Sequence, residues 1–225
     1  MKVIARIHTD FPTKFGIPRQ SGLTDSEAVI VFEPEYRQEE CLRGIEEYSH
    51  LWLIWEFSAV KDKPWSPTVR PPRLGGNKRV GVFATRSPFR PNPIGLSSVK
   101  LICKEKTSQG TVLRVTGADL MDNTPIYDIK PYIPYADCHP EAKGSFGQEN
   151  KDYAVSVNCS QEFLDIIPEN KREVLLQVLS QDPRPSYIDD PERVYGFEYA
   201  GCEIRFRVSD SVLTVTDIHI SPKEQ

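Results

Sequence analysis

The stretch VGVFATRSPFRPNPIGLSSVKLIC, residues 80–103, contains the pattern that decides the fold of this chain. Its two ends, Val80–Thr85 and Gly95–Cys103, have the composition of short strands. The segment between them, RSPFRPNPIG at Arg86–Gly95, holds three prolines, which fix φ and lack a backbone donor. It therefore cannot be a helix or an interior strand. We expect two strands joined by a rigid loop.

That loop carries Arg86, Arg90 and Asn92 within seven residues. Binding groups that are ordered before a ligand arrives spare the entropy cost of ordering them later. A plain proline-rich turn is the alternative interpretation, but it does not explain two guanidinium groups and an amide in so short a segment.

Short β-prone runs separated by proline and glycine recur through the first 135 residues, which favours a barrel or a sandwich over a βαβ layout. A short helix is expected from Gln38 to about Glu47. The run Leu51–Trp55 is apolar on both alternating faces, so we expect it to be buried on both sides. The remaining candidate strands are Lys2–His8, Val29–Glu33, Leu51–Phe57, Thr111–Thr116 and Thr124–Ile129.

The last third of the chain has a different pattern. A polar, glycine-containing connection at residues 136–153 precedes a candidate strand, Ala154–Asn158. Pro168 is placed to open a helix that Asp182-Pro183 ends. An amphipathic stripe is expected on this helix at Val174, Leu175, Val178 and Leu179. Three further strands are expected after it, at Tyr195–Tyr199, Cys202–Val208 and Val212–Ile220.

Composition excludes several classes of protein. No apolar run is longer than five residues, the length of Leu51–Trp55, so no membrane span is expected. The first ten residues lack the apolar region of a secretory signal. Five widely spread cysteines without a CxxC pair argue against disulfides and a zinc site, and favour the reducing cytoplasm. The four histidines share no metal-ligand spacing, so no metal is expected.

Positive charge is concentrated in one segment of an otherwise acidic chain. Lys63–Lys104 contains nine cations and no carboxylate, whereas the rest holds 19 basic and 32 acidic residues. A clustered positive field attracts polyanions. Within it, Pro67–Arg79 has a flexible centre flanked by cations, which suits folded RNA better than a small metabolite. An ordinary solvated face, the alternative, would mix both signs.

Two further groups of side chains are candidates for binding. Trp52, Trp55, Phe57 and Trp65 could stack on a base, although core packing is the favoured interpretation for Trp52 and Trp55. Asp119, Asp122 and Asp128 gather carboxylates near one loop, and the latter two could bind hydroxyls or a cation or act as a base. No GxGxxG follows a strand and no P-loop exists, which disfavours the common nucleotide sites.

The chain resembles the TsaA-like, YaeB-like family, the TrmO tRNA (adenine-N6)-methyltransferases. The shared motifs cover nearly the whole chain, and RSPFRPNPIG is the most specific. The other matching segments are IPRQSGL (Ile17–Leu23), LRGIEEYSHLWL (Leu42–Leu53), RPPRLGG (Arg70–Gly76), DNTPIYDIKPYIP (Asp122–Pro134), QDPRPSY (Gln181–Tyr187) and YGFEYAG (Tyr195–Gly201).

The resemblance implies a mainly β fold: a single-sheet β-barrel methyltransferase domain at residues 1–140 and a small α+β C-terminal domain at 141–225. It implies a homodimer that uses S-adenosylmethionine to methylate the N6 atom of threonylcarbamoyladenosine, adenine 37, beside the anticodon of a threonine-accepting tRNA. Neither a metal nor a membrane is implied.

The resemblance also assigns roles to residues. The cofactor pocket should contain Pro18, Arg19, Gln20, His50, Leu51, Arg86, Leu96, Asp122, Asn123, Thr124 and Pro125. The catalytic candidates are Asp128 and Arg90. The residues expected to contact tRNA are Arg70, Arg73, Lys78, Arg79 and Arg184, the last in the DPRP segment of the C-terminal domain.

Two other functions are compatible with the same patterns. One is a non-catalytic RNA-binding barrel, which would not bind S-adenosylmethionine. The other is a small-molecule methyltransferase on the same barrel, which would not show strongly salt-dependent tRNA binding.

Overall fold

The computed structural model describes residues 1–71, 78–145, 147, 153–184 and 190–221. The described part is mainly β, as the sequence predicted, with twelve strands and three α-helices. The strands are β1 Ala5–His8, β2 Glu27–Phe32, β3 His50–Glu56, β4 Thr68–Val69, β5 Val80–Gly81, β6 Ile94–Thr107, β7 Gly110–Thr116, β8 Thr124–Pro131, β9 Ser156–Asn158, β10 Tyr195–Tyr199, β11 Cys202–Ser209 and β12 Val212–Ile220. The helices are α1 Pro134–Asp137, α2 Gln161–Ile166 and α3 Glu169–Ser180.

The first sheet closes on itself. Its strands pair in the order β1-β2-β7-β6-β3-β8, all antiparallel, and β8 returns to β1 through the pair Ala5↔Ile126. Because successive side chains alternate between the two faces, every second residue points into the closed interior. Leu53, Leu113 and Ile126 are fully buried there. This interior is the first hydrophobic core.

Strand β3 differs from the sequence prediction. Leu51 and Leu53 are buried inside the barrel, but Trp52 and Ile54 on the outer face are only half-buried. The prediction of a strand buried on both sides is therefore wrong. The outer face is covered in part by Tyr132, whose ring lies 5.5 Å from that of Trp52.

The long loops of the barrel gather at one end, which we call the mouth. Antiparallel pairing places the end of β3 beside the starts of β6 and β8. The ends of β1 and β7 lie at the same end of the barrel, because β1 pairs with β8 and β7 pairs with β6. The segments 9–26, 57–93 and 117–123 therefore all leave from this end. The proline-rich loop is part of the mouth, and it is irregular as expected.

The strand predicted at Val80–Thr85 is shorter than expected. Only Val80–Gly81 is a strand, and Val82–Ala84 forms a 3-10 turn. The reason lies in the loop itself, because the Arg90 Nη1 atom donates to the carbonyls of Val82 and Thr85, at 3.2 and 2.7 Å. These bonds curl the chain away from a neighbouring strand.

The helix predicted at Gln38–Glu47 is absent from this described segment, which lies at the end of the barrel opposite the mouth. Two 3-10 turns, Glu39–Leu42 and Ile45–Glu47, take its place. Gly44 between them has a φ of 83°, a left-handed conformation that interrupts a helix.

A second sheet, in the order β10-β11-β12-β9, packs against α3. The predicted stripe is confirmed, since Val174, Leu175, Val178 and Leu179 are all buried. The three C-terminal strands are confirmed within one residue. Pro168 is the N-cap residue of α3 rather than part of its first turn. The predicted connection at residues 136–153 falls partly outside the described residues.

The mouth segment after β1 joins the two parts of the chain. Phe11 is fully buried in the second core, and Phe15 and Ile17 pack against that core. The Lys171 Nζ and Asp10 Oδ2 atoms lie 2.6 Å apart and connect α3 to the same segment. Across the described ranges, we find no helix with both the length and the apolar character that crossing a membrane requires.

Candidate active site

A pocket of about 500 Å³ opens at the mouth of the barrel. Four separate segments line it, at residues 14–20, 55–60, 85–96 and 119–124. Its volume lies in the range of small-molecule sites. The pocket therefore forms where the barrel's long loops converge.

Trp55 forms one wall of the pocket because β6 has a glycine opposite it. Gly95 pairs with Trp55 in the β3–β6 register, and a Cβ atom at Gly95 would overlap the indole ring, at less than 3.0 Å. Only glycine lets the ring lie against β6. In this position the Trp55 Nε1 atom donates to the Ser97 Oγ atom at 3.0 Å.

Asp119 is the half-buried carboxylate of the pocket. The Ser97 Oγ atom donates to its Oδ1 atom at 2.5 Å. Burial raises the pKa of Asp119, while the hydrogen bonds from Ser97 and from backbone N–H groups and the nearby charge of Arg86 act in the opposite direction. The pocket thus holds an oriented carboxylate whose charge is only partly compensated by protein groups.

A series of hydrogen bonds connects the proline-rich loop to the residues that follow α3. The Arg86 Nη1 atom donates to the Gln20 Oε1 atom, and the Gln20 Nε2 atom donates to the Arg19 carbonyl at 2.5 Å. The Arg19 Nη2 atom donates to the carbonyls of Asp182 and Arg184, at 2.7 and 3.1 Å. The walls of the pocket are therefore fixed relative to the end of α3.

Two family models match the chain. The tRNA-methyltransferase O N-terminal domain matches residues 6–138, and the TrmO C-terminal domain matches residues 150–221. The chain belongs to the TrmO family.

Individual TrmO relatives match over almost the full chain. The Escherichia coli (strain K12) protein named tRNA (adenine(37)-N6)-methyltransferase is 40% identical over 220 residues, which are 92% of this chain and 92% of that protein. Two crystal structures of TrmO from Pseudomonas aeruginosa superpose with TM-scores of 0.78 and 0.76, at 32% and 31% identity. The first superposition covers 98% of this chain and 97% of the crystallised chain. The second covers 97% and 98%.

The structure brings together part of the cofactor set implied by the TrmO resemblance. Six of those residues line the pocket although they are distant in sequence. They are Pro18, Arg19, Gln20, Arg86, Leu96 and Thr124.

Three more of these residues support the mouth without lining the pocket. The Asp122 Oδ1 atom accepts a hydrogen bond from the Thr9 backbone N–H at 3.0 Å and lies 3.3 Å from the His8 Nδ1 atom. Asn123 has a φ of 61° and its backbone N–H donates to the Ile7 carbonyl. Pro125 is buried in β8.

His50 and Leu51 lie at the opposite end of β3. Trp55 lies five positions after His50, a span of roughly 17 Å along the strand. Leu51 is fully buried inside the barrel, whereas His50 is exposed and contacts Ser49. Within one chain the structure does not bring these two residues to the pocket.

The two catalytic candidates occupy different environments. Arg90 lines the pocket, but its guanidinium donates to main-chain carbonyls and also lies 5.7 Å from the Phe83 ring centroid. Asp128 lies outside the pocket lining, and its carboxylate is 3.0 Å from the Lys130 Nζ atom. The geometry gives Arg90 a positioning role and provides no pocket contact for Asp128.

Three of the predicted tRNA-contacting residues, Arg70, Lys78 and Arg79, are exposed at the mouth. Arg70 follows β4 and Arg79 precedes β5, and the Arg79 Nη1 atom donates to the Thr68 Oγ1 atom at 3.0 Å. Arg73 lies outside the described residues.

Other cations of the segment Lys63–Lys104 do not belong to the same surface. The Lys104 Nζ atom contacts the Glu46 Oε1 atom at 2.5 Å at the opposite end of the barrel. The predicted tRNA contact Arg184 is only 12% exposed, because its Nε atom lies 2.9 Å from the Asp182 Oδ1 atom. The Arg184 guanidinium is thus engaged by Asp182, and its contact with tRNA stays a prediction.

Asp119 was placed in a predicted carboxylate cluster with Asp122 and Asp128, but it was given no role, and Ser97 was not predicted as a site residue. Ser97 gave no signal, because its role depends on a partner from another strand. Among the residues that the structure describes, no group of His, Cys, Asp or Glu has the arrangement of a metal site.

Proposed function

We propose that this protein is a cytoplasmic, S-adenosylmethionine-dependent tRNA methyltransferase that acts on the N6 atom of adenine 37. We further propose that the target is threonylcarbamoyladenosine, in a threonine-accepting tRNA. The observation that carries the proposal is that six residues assigned by the resemblance line one pocket beneath exposed cations. The name of the 40% identical relative supports the same reaction.

The chemistry of the pocket fits S-adenosylmethionine. The apolar parts of such a ligand require apolar and aromatic walls, which Trp55, Phe57 and Leu96 provide. Its amino-acid end carries both charges, and the pocket offers both a guanidinium, Arg86, and a carboxylate, Asp119. When bound, this cofactor supplies an electrophilic methyl group on sulfur.

The protein's main contribution is orientation. Methyl transfer requires donor and acceptor in line, and correct alignment of two reactants can lower a barrier by several kcal/mol, about 7 in favourable cases. Arg90 fixes the loop that carries Arg86, through its bonds to the carbonyls of Val82 and Thr85. Gln20 then holds the Arg86 guanidinium.

The acceptor nitrogen loses a proton during transfer. In threonylcarbamoyladenosine this nitrogen lies between a purine and a carbonyl, so its N–H is more acidic than that of unmodified adenine. A weak base or water is sufficient for such a group. Asp128 is the candidate base from the resemblance, but it lies outside the pocket lining, and we assign the proton to water.

The exposed cations at the mouth would dock the anticodon arm. Arg70 directly follows β4 and Arg79 directly precedes β5, with Lys78 beside it, and all three are exposed. No carboxylate of the segment Lys63–Lys104 opposes them. Each phosphate contact adds to the salt dependence of binding.

We propose a homodimer as the working form. Leu96 and Ile102 on the outer face of β6 are 55% and 47% exposed, which is a high exposure for apolar strand residues. If His50 contacts the cofactor, as the resemblance implies, it must do so in a second copy. Sedimentation of the purified protein would test this: a monomer at micromolar concentration would contradict it.

The methyl-transfer assay tests the proposed reaction. Labelled methyl from S-adenosylmethionine should enter tRNA that carries threonylcarbamoyladenosine, and little should enter tRNA without that group. Arg86→Ala should abolish transfer with an unchanged circular dichroism spectrum. Arg43→Ala is the matched control, because Arg43 is exposed at the opposite end of the barrel. Equal transfer to both tRNAs would contradict the proposed substrate, and no transfer would contradict the reaction.

A further inference from the structure

We infer that the Asp119 carboxylate binds the α-ammonium group of the methyl donor, beside an Arg86 guanidinium that binds its α-carboxylate, and that Trp55 and Ser97 position Asp119. This inference rests on the proposed function, because it names the residues that receive one end of the donor.

The hydrogen bonds from Trp55 to Asp119 can run in only one direction. An indole N–H is a donor and never an acceptor, so Ser97 must accept from Trp55. The Ser97 hydroxyl hydrogen is then available for the Asp119 Oδ1 atom, 2.5 Å away. Because Ser97 is itself buried, with 1% of its surface exposed, no water competes for this hydrogen. The Ser97 hydrogen bond therefore holds Asp119 in one orientation and opposes the rise in its pKa that burial causes.

Asp119 retains capacity for one more donor. An ionised carboxylate has about four acceptor positions. The protein donors to it are the Ser97 hydroxyl and the backbone N–H groups of Ser21 and of Asp119 itself. Asp119 also lines the pocket, so a cationic ligand group can supply the remaining hydrogen bond. A buried carboxylate that lacks a full set of partners is costly to the fold, which favours such a ligand.

Among the charged residues of the pocket, Asp119 and Arg86 are the pair that we expect to bind the amino-acid part of the methyl donor. The charged residues that line the pocket are Lys14, Arg19, Glu56, Arg86, Arg90 and Asp119. Arg19 and Arg90 donate to main-chain carbonyls. Glu56 accepts a hydrogen bond from Tyr127, and this bond together with burial raises the pKa of Tyr127 to about 12.

Arg86 is exposed at the pocket and close enough to Asp119 for its charge to act on that carboxylate. A guanidinium and a carboxylate that line the same pocket have the charges needed to bind the carboxylate and the ammonium of an α-amino acid. A lone arginine or a lone carboxylate would match only one of them.

Calorimetry with three ligands tests the assignment. S-adenosylmethionine has both charged groups, decarboxylated S-adenosylmethionine keeps the ammonium alone, and 5′-methylthioadenosine lacks both. Asp119→Asn should weaken the first two by about 10- to 100-fold, the range for a charge-assisted hydrogen bond, and leave the third within about twofold. Arg86→Gln should weaken only the first. Asp25→Asn, a carboxylate at the same mouth that accepts from Gln177 and does not line the pocket, should change none of them.

The outcomes separate this inference from the proposed function. If the wild-type protein does not bind S-adenosylmethionine, both fail. If it binds, and Asp119→Asn weakens all three ligands equally or none, the inference alone is overturned.

A pH series tests the positioning role of Ser97. Donor affinity should fall as the pH drops through the pKa of Asp119, because the protonated group no longer attracts the ammonium. The Ser97 hydrogen bond lowers that pKa. Ser97→Ala should therefore move the loss of affinity to higher pH. A uniform decrease in affinity at every pH, without a shifted midpoint, would show that Ser97 is merely structural.

Discussion

The ionised Asp119 carboxylate lowers the stability of the folded protein, because burial removes water from a charged group. Burial raises the pKa of Asp119 in the folded state above the value of about 3.9 for an exposed aspartate. At a pH between the unfolded-state and the folded-state pKa of Asp119, the folded protein binds a proton that the unfolded chain does not. The free energy of unfolding therefore falls as the pH rises through the folded-state pKa. We predict that Asp119→Asn raises the Tm of the ligand-free protein at pH 7.5, and that the gain disappears near pH 4. Thermal melts at both pH values measure this. An equal loss of Tm at both would contradict it.

Gly95 is required for its lack of a side chain rather than for backbone freedom. A Cβ atom would overlap the Trp55 ring, so Gly95→Ala must displace the indole and break its bond to Ser97. We predict a loss of about 1–3 kcal/mol in the free energy of unfolding, as for overpacked cores, together with weaker donor binding. Urea unfolding and calorimetry measure these. Gly81→Ala is the control, because nothing lies within 4 Å of a Cβ atom there, and an equal loss in both variants would contradict the explanation.

At the residue scale, site residues that lie in recognisable motifs could be predicted from the sequence. Site residues whose roles depend on contacts between strands could not. Arg86 and Gln20 lie in recognisable segments, and the pocket contains both. Asp119 and Ser97 acquire their roles from a pairing of β6 with β3 that places Trp55 above Gly95. No local pattern in the chain records that pairing.

The strands and loops were predictable where their patterns were local. The proline-rich loop, the stripe on α3 and the C-terminal strands follow from proline chemistry and from periodicity. The predicted helix at Gln38–Glu47 was wrong and the strand predicted at Val80–Thr85 is shorter than expected, for reasons that propensity does not show. Gly44 adopts a left-handed conformation, and Arg90 holds the Val82–Ala84 turn from eight residues away.

The β4–β5 pair is the element that we expect to hold RNA. Arg70 and Arg79 are exposed and flank this strand pair, so Arg70→Glu with Arg79→Glu should weaken tRNA binding strongly. The slope of log affinity against log salt should fall by about 1 for each phosphate that the variant no longer neutralises. Filter binding at several salt concentrations measures this.

Lys104→Gln provides the control from the same carboxylate-free segment, because Lys104 pairs with Glu46 at the far end of the barrel. It should leave tRNA affinity and salt slope unchanged. If it weakened binding as much as the double variant, the mouth would not be the docking surface. S-adenosylmethionine affinity should stay constant in all of these variants.

The whole molecule is held together through the segment that also forms the pocket. Phe11, Phe15 and Ile17 belong to the loop after β1, yet they pack in or against the core of the second sheet. The next residues, Pro18 to Gln20, line the pocket. The two cores are therefore coupled through this stretch of chain, and a change in one should reach the other.

Phe11→Ala tests this coupling. Phe11 is fully buried, so its removal should cost about 3–5 kcal/mol in the free energy of unfolding. Because the same segment positions Gln20, which holds Arg86, donor affinity should fall as well, although Phe11 does not line the pocket. Phe83→Ala is the matched control: Phe83 is 77% exposed, and its loss should change stability by less than about 0.5 kcal/mol. Chemical unfolding and calorimetry on both variants decide the matter, since a destabilised Phe11→Ala protein with wild-type donor affinity would show that the second core does not set the shape of the pocket.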